Sequence, residues 1–298
     1  MITQITKKDY PPIERGGRGA DYRQKLLIIV LLFTMVLTGC SQQYKAEKAF
    51  YWAAKYSEDI FKDPKNIPPF KFEKAMANFK DIITKYPQLP QATEAHLMVS
   101  NLFIVQGKFS EAIKSYRQVQ SLYKDNKDLQ AKVLISIASC YQQLNDWGTA
   151  AKIFREAFDK YPDTKAGLQI PAYLLNYYMS KKDKANAASA YHQAVQDYKK
   201  VIANAAALPQ AAYSAGNLLA EVHMVMGDWA DLVAVLNTMM TKYPQSPEAP
   251  VWLMTMGATY DVKLKDQAKA KENYQLIVDK YNKSPWAKEA SKRLAAIK

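Results

Sequence analysis

Phe109-Ser110-Glu111-Ala112-Ile113-Lys114-Ser115-Tyr116-Arg117-Gln118-Val119 is the stretch on which the fold turns. Its apolar residues recur at spacings of three and four, the period of one face of an α-helix. The small Ala112 on that face lets a second helix approach closely. The aromatic Tyr116, four residues later, fills the space beside the contact.

The same layout returns along the chain. A tyrosine closes a helical run at Tyr86, Tyr123, Tyr161, Tyr198, Tyr243 and Tyr281, at spacings of 37, 38, 37, 45 and 38 residues. Eleven residues before each stand Ala75, Ala112, Ala150, Ala187, Leu232 and Ala270. Four after those stand Phe79, Tyr116, Phe154, Tyr191, Leu236 and Tyr274. Pro87, Pro162 and Pro244 follow three of the tyrosines, where a proline cannot extend the helix. Turn signals precede the small position at Gly107-Lys108-Phe109, Asn145-Asp146-Trp147 and Gly227-Asp228-Trp229. Three aligned positions recurring six times predict stacked helical hairpins, none of which can bury its apolar face alone.

The set resembles the tetratricopeptide repeat, whose second helix carries a small residue and an aromatic and whose unit closes on a proline. The resemblance covers nearly all of residues 42–298. It implies an all-α fold, a right-handed solenoid of about six helix hairpins plus a C-terminal capping helix. That family's period is about 34 residues, so these units are expected to carry extra residues at their junctions. Val201–Leu208 is expected to prolong the second helix of the fourth unit. First helices are predicted at about Gln42–Phe61, Ala92–Gln106, Leu129–Leu144, Leu168–Ser180, Ala211–Met226 and Ala249–Lys263. Their own small-then-aromatic pattern includes Ala53 with Tyr56, Ala138 with Tyr141 and Gly257 with Tyr260. The cap falls within 285–298, with its helix at Trp286–Ile297. In the first unit an insertion, 63–70, is Pro-rich and reads as an ordered loop or short arm. It is either a passive surface loop or a partner contact.

The amino terminus reads as an address. A basic stretch ends at Lys25, and an unbroken apolar run follows, Leu26–Leu37. Its length of about twelve residues suits a signal-peptide core better than a membrane span. The run ends in Leu37-Thr38-Gly39-Cys40, which resembles a bacterial lipobox. The resemblance implies cleavage before Cys40, so that residues 1–39 are a signal peptide and the repeat domain is 40–298. It also implies a diacylglyceryl group on the Cys40 thiol and acylation of the new amino terminus, a stable membrane anchor. Ser41 in place of Asp implies the outer membrane in a host with two membranes.

The chain carries a formal net charge of +13. Beyond residue 39 the basic residues are lysines, apart from Arg117, Arg155 and Arg293. Two-pronged recognition of phosphates and bases favours arginine, so no nucleic-acid partner is expected. The lysine surface is either a solvated face or an attraction toward anionic headgroups or an acidic partner.

No catalytic or metal pattern stands out. His96, His192 and His223 fall in different units, and no His-x-x-x-His or Glu-x-x-His pair, Gly-rich phosphate loop or Gly-x-Ser-x-Gly elbow occurs. Cys140 sits at a packing position and reads as a small core residue. No enzyme activity, cofactor or metal is expected. Carrying the inner positions of the resembling family over unit by unit gives a first-helix wall with Asn101, Ser139, Asn176 and Glu221 at one equivalent position, and Ile104, Gln142 and Met179 one turn on. These polar side chains either clamp an extended peptide or simply face water.

Among lipid-anchored proteins of this kind, the chain most resembles the BamD-type lipoprotein of the outer-membrane β-barrel assembly machine. The shared features are the lipobox, the array beginning within a few residues of the lipidated cysteine, and the ending Tyr281-Asn282-Lys283-Ser284-Pro285-Trp286-Ala287-Lys288-Glu289-Ala290. The expected function is a non-enzymatic, membrane-anchored scaffold for envelope proteins, among them a β-barrel assembly subunit. Two other readings stay open, an accessory lipoprotein of a secretion, pilus or polysaccharide-export apparatus and an envelope ligand-binding protein.

Overall fold

The computed structural model describes residues 41–297. Cys40 and the apolar run before it lie outside the described residues. Among the described residues every regular element is helical, and no helix is long and apolar enough to cross a membrane. The chain divides into two compact units, one ending at Val99 and one running Ser100–Lys298.

The first unit holds α1 (41–62), a 3-10 turn at Pro64–Asn66, α2 (Pro69–Lys85) and the start of α3 (Pro90–Val105). Its core is formed by Ala46, Ala53, Ile60, Phe72, Ala75, Phe79 and Ile82, with the rings of Phe50 and Phe79 5.8 Å apart. The insertion is shorter as a loop than its sequence suggests. Pro68-Pro69 starts α2 two turns ahead of Ala75, because a proline is pre-set for the first turn of a helix.

The second unit continues with α4 (Phe109–Leu122), α5 (Lys127–Gln143), α6 (Trp147–Lys160), α7 (Lys165–Leu168), α8 (Ile170–Ser180), α9 (Lys184–Ala203), α10 (Pro209–Met226), α11 (Trp229–Lys242), α12 (Ala249–Ala258), α13 (Gln267–Lys280) and α14 (Ala287–Ala296). α12 runs on as a π-helical segment, Thr259–Leu264. The small and aromatic columns fall where their spacing puts them. Ala112, Ala150, Leu232 and Ala270 are fully buried and Ala187 nearly so, and Tyr116, Phe154, Tyr191, Leu236 and Tyr274 are all buried. The repeating tyrosine is the C-cap of α4, α6, α11 and α13, with its backbone N–H donating to the carbonyl four residues earlier. α14 buries Ala290 against the last hairpin and leaves Lys288, Lys292 and Arg293 exposed, as an end cap requires.

One turn geometry joins the two helices of all five hairpins in this unit. Gly107, Asn145, Lys182, Gly227 and Lys265 have φ between 58° and 77°, the left-handed conformation that ends a helix. The next N–H then reaches back to the helix, from Lys108 to Phe103, Asp146 to Tyr141, Asp183 to Tyr178, Asp228 to His223 and Asp266 to Tyr260, at 2.9–3.0 Å. The aspartate starts the second helix. Asp146, Asp183 and Asp266 accept from the N–H groups of Thr149, Asn186 and Lys269 and so satisfy an orphan donor of the first turn.

The fourth unit departs from the pattern in two places. Its first helix is broken at Gln169 into α7 and α8, because Pro171 lacks the N–H that would bond to Gly167 and its ring crowds that carbonyl. The Tyr198 hydroxyl closes the gap. It donates to the Leu168 carbonyl at 3.0 Å and accepts from the Ala172 N–H at 3.1 Å, replacing one rung of the helix. Tyr198 is consequently inside α9 and not at its end. α9 runs five residues further, to Ala203, and the chain then turns through Asn204–Ala207 to Pro209. The expected prolongation therefore stops short of Leu208, where the residue before a proline is pushed out of the helical region.

The buried small column gives a direct test. Ala150→Leu forces three extra carbons into a filled contact and is expected to cost about 1–3 kcal/mol. Lys152→Leu, two residues on and exposed, is expected to stay within about 0.5 kcal/mol. Urea melts followed by circular dichroism separate the two, and equal midpoints would mean that the register is wrong.

Candidate functional site

The first-helix wall read from sequence is mostly engaged in holding the fold. Asn101 Oδ1 accepts from the Tyr116 hydroxyl, Ser139 Oγ donates to the Ile135 carbonyl of its own helix at 2.9 Å, and Gln142 Oε1 accepts from the Tyr173 hydroxyl at 2.6 Å. Asn176 and Glu221 are the exposed members, with Met179 beside the former's turn. Position in a repeat told which residues face alike. It could not tell that a tyrosine elsewhere would consume Asn101 and Gln142.

Around that wall the aromatics form ordered contacts that the spacing did not foretell. Trp147 stacks on Tyr177 with centroids 3.4 Å apart and donates from Nε1 to the Tyr178 hydroxyl at 3.2 Å. Trp252 Nε1 donates to Asn217 Oδ1 at 2.8 Å. Near the end of the second unit an apolar depression of about 500 Å³ is lined by Met224, Val251, Met254, Val262 and Trp286. Four of these are large and apolar yet well exposed, Met224 at 44%, Val251 at 39%, Val262 at 48% and Trp286 at 40%. Together they form one exposed apolar patch around the depression.

A second site centres on His223. The residue whose carbonyl accepts the returning turn N–H is Phe103, Tyr141 and Tyr178 in earlier units, and histidine here. That substitution in an aromatic column is the signal in the sequence that would have found it. His223 is fully buried. Its Nδ1 lies 2.9 Å from the Tyr191 hydroxyl, which donates to Asp228 Oδ2 at 2.6 Å. Asp228 makes no side-chain cap to its own helix, in contrast with Asp146, Asp183 and Asp266. Burial, and then the bond to Asp228, hold the tyrosine proton well above the usual phenol range. Burial also lowers the His223 pKa, against the pull of Asp231 and Asp228, so the ring is neutral at pH 7. Since Tyr191 has one proton and gives it to the carboxylate, the histidine must donate Nδ1–H to the tyrosine oxygen. Nε2 is then a lone-pair acceptor, and no group among the described residues hydrogen-bonds to it.

His223, Asp228 and Asp231 each offer a ligand atom within 4.8 Å of the others. Nδ1 and Asp228 already share Tyr191, so a metal on that edge would have to expel the hydroxyl. The grouping alone therefore defines no metal centre. Cys140 offers no nucleophile either, because burial pushes its thiol up to about 11 and keeps it protonated at neutral pH.

The tetratricopeptide repeat family matches residues 133–164, the span from α5 through α6 to the turn beyond it. No curated protein matches the chain. Among solved structures, a tetratricopeptide repeat protein from Parabacteroides merdae is 16% identical, covering 77% of this chain and 79% of its own, with a TM-score of 0.37. BtubC from P. vanneervenii is 16% identical, over 78% of this chain and 87% of its own, at 0.39. The TPR2AB domain of yeast Sti1 in complex with an Hsp90 peptide is 13% identical, over 85% and 98%, at 0.36. The family match covers one hairpin, and the hairpins around it repeat the same layout, an all-helical array similar to the tetratricopeptide solenoid. Folds of this class serve typically as non-enzymatic scaffolds for protein–protein interaction.

Proposed function

We propose that this chain is a scaffold held at a membrane by lipid on Cys40, which engages an envelope protein through the apolar depression at the end of its second unit. The observation that carries the partner half is the exposure of Met224, Val251, Val262 and Trp286 around one concavity. Burying these side chains against a partner releases ordered water, at about 25 cal/mol per Å² of apolar surface. The membrane half is supported by the apolar run ending in Leu-Thr-Gly-Cys. It is supported also by α1, where Tyr44, Lys48, Tyr51, Trp52 and Lys55 share one exposed face and Lys55 Nζ lies 5.4 Å from the Trp52 ring. Aromatic and basic side chains together suit the headgroup zone of a bilayer. The β-barrel assembly machine is the particular assembly the sequence resemblance favours, on the outer membrane of a host with two membranes.

Growth with an alkyne-bearing fatty acid is expected to label the chain, and Cys40→Ala to abolish the label; equal labelling of both would refute the anchor. A photo-reactive residue at Val262 is expected to cross-link one defined envelope protein, with Val251→Lys lowering the yield at least fivefold. Absence of any cross-linked partner would sink the scaffold reading. Depletion is expected to lower several unrelated outer-membrane barrels together. Loss of a single secreted polymer or fibre with barrels intact would replace barrel assembly by an export apparatus.

A further inference from the structure

The longer period of the fourth unit has a spatial result. Because α9 runs past Tyr198, Lys199 and Ile202 form a wall that faces α11 across α10, and the three helices enclose a cavity of about 530 Å³. Ile202, Leu219, Val235 and Met239 make it apolar. Lys199, Asp231 and Lys242 are exposed at its margin, and neither lysine is in an ion pair among the described residues. His223 lines it from α10. Gly216 lines it too, and a Cβ there would meet Met239 Sδ at 2.3 Å. The neighbours of Nδ1, Tyr191 and Asp228, are not part of the lining, whereas Asp231 is. Nε2 of this lining residue is buried and has no hydrogen-bond partner among the described residues.

We propose that this cavity is a small-molecule site for an apolar acid carrying an N–H or O–H group, which donates to His223 Nε2 while its anionic end pairs with Lys199 and Lys242. The volume is that of ordinary ligand pockets, which are mostly apolar with a few fixed polar groups. A buried acceptor without a partner costs free energy, and a ligand donor recovers it. The hydrogen-bond chain from His223 through Tyr191 to Asp228 fixes the tautomer in advance, so the acceptor is in place before the ligand arrives. It also accounts for an aspartate that caps nothing. The two lysines outnumber the one carboxylate at the margin, which favours an anion.

Indole-3-acetate and 1-benzothiophene-3-acetate separate the parts of the proposal, since they differ only in N–H against sulfur. Titration calorimetry of the full chain in non-ionic detergent is expected to show saturable one-to-one binding of the indole acid, at least tenfold tighter than its sulfur analogue. His223→Phe is expected to erase that preference. Lys199→Gln with Lys242→Gln is expected to weaken both acids equally. Val235→Trp fills the cavity from the half-buried wall that α11 contributes, without replacing the histidine, and is expected to abolish binding even if the His223 variant folds poorly. Equal affinity of the wild-type chain for the two acids, or an N–H preference surviving in His223→Phe, would overturn the proposal. So would stoichiometric binding of Zn²⁺ alone that is lost in Asp228→Asn and Asp231→Asn, which would make the cluster a metal centre.

Discussion

Gly167→Ala is expected to destabilise the second unit by about 3 kcal/mol, at the upper end of overpacking costs. A Cβ at this position would lie 2.1 Å from the Tyr161 carbonyl oxygen and 3.0 Å from Thr164 Oγ1. Neither atom is free to retreat. The Thr164 hydroxyl donates to the Tyr161 carbonyl at 2.9 Å and accepts from the Gly167 N–H at 3.0 Å, so the turn between α6 and α7 is closed on itself. Backbone cannot rotate away as a side chain can, and the whole turn must open to admit one methyl group. Gly148→Ala supplies the contrast. Its Cβ would meet only Asp146 Oδ1, at 3.8 Å, in the exposed first turn of α6. There alanine is expected to be neutral or to stabilise by up to about 1 kcal/mol, through helix propensity and a less free unfolded chain. Denaturant midpoints measured by circular dichroism decide it, and coincident melts of the two variants would show that the close approach at Gly167 is absent.

Tyr198→Phe is expected to cost about 2–3 kcal/mol, although it removes one oxygen atom. The hydroxyl is the replacement rung of the broken helix, and Tyr198 is fully buried. Without it the Leu168 carbonyl and the Ala172 N–H lose their partner together, at about 1–3 kcal/mol for each buried group left unsatisfied. Some of that is recovered if α7 and α8 close up, but Pro171 limits how far they can. Tyr274→Phe is the matched control. Tyr274 is equally buried in the aromatic column, yet its hydroxyl has no hydrogen-bond partner among the described residues. Deleting that oxygen is expected to be neutral or stabilising. Thermal melts of the pair should diverge. If Tyr198→Phe is as mild as Tyr274→Phe, the bridge does not hold the break.

These two tyrosines show how far the sequence can be read. The columns of small and aromatic residues were legible because burial on one helix face imposes a period that survives in any window of the chain. Helix ends fell within a residue or two of expectation where a proline, a glycine or an aspartate announced them. The break at Gln169 was not foreseen, although Pro171 stands inside the expected helix Leu168–Ser180, because a proline in a helix can be accommodated or can break it according to what lies opposite. What lies opposite is Tyr198, thirty residues away. The candidate site fared similarly. Asn101, Ser139 and Gln142 are polar residues on a first helix, as read, but their hydrogen bonds are made inward. His223 looked like an isolated histidine, since its partners Tyr191 and Asp228 are respectively thirty-two residues before it and five after it, on different helices.

The repeated left-handed turn bears on how such a chain can change its length. Gly107, Asn145, Lys182, Gly227 and Lys265 reverse the backbone in one conformation, and the next N–H returns to the first helix, five residues back in four turns and six in the last. They are interchangeable joints, and a whole hairpin excised or duplicated between two of them leaves the reversal on either side unaltered. The segment from Lys182 to Gly227 is different in kind. The long α9, the histidine in place of an aromatic and the uncapped aspartate depend on one another across that boundary. A recombination point placed inside it would separate the base from its tautomer lock and the wall from its floor. The array is thus modular along most of the second unit and indivisible at one seam, and descendants of this sequence could gain or lose repeats freely only on either side of it.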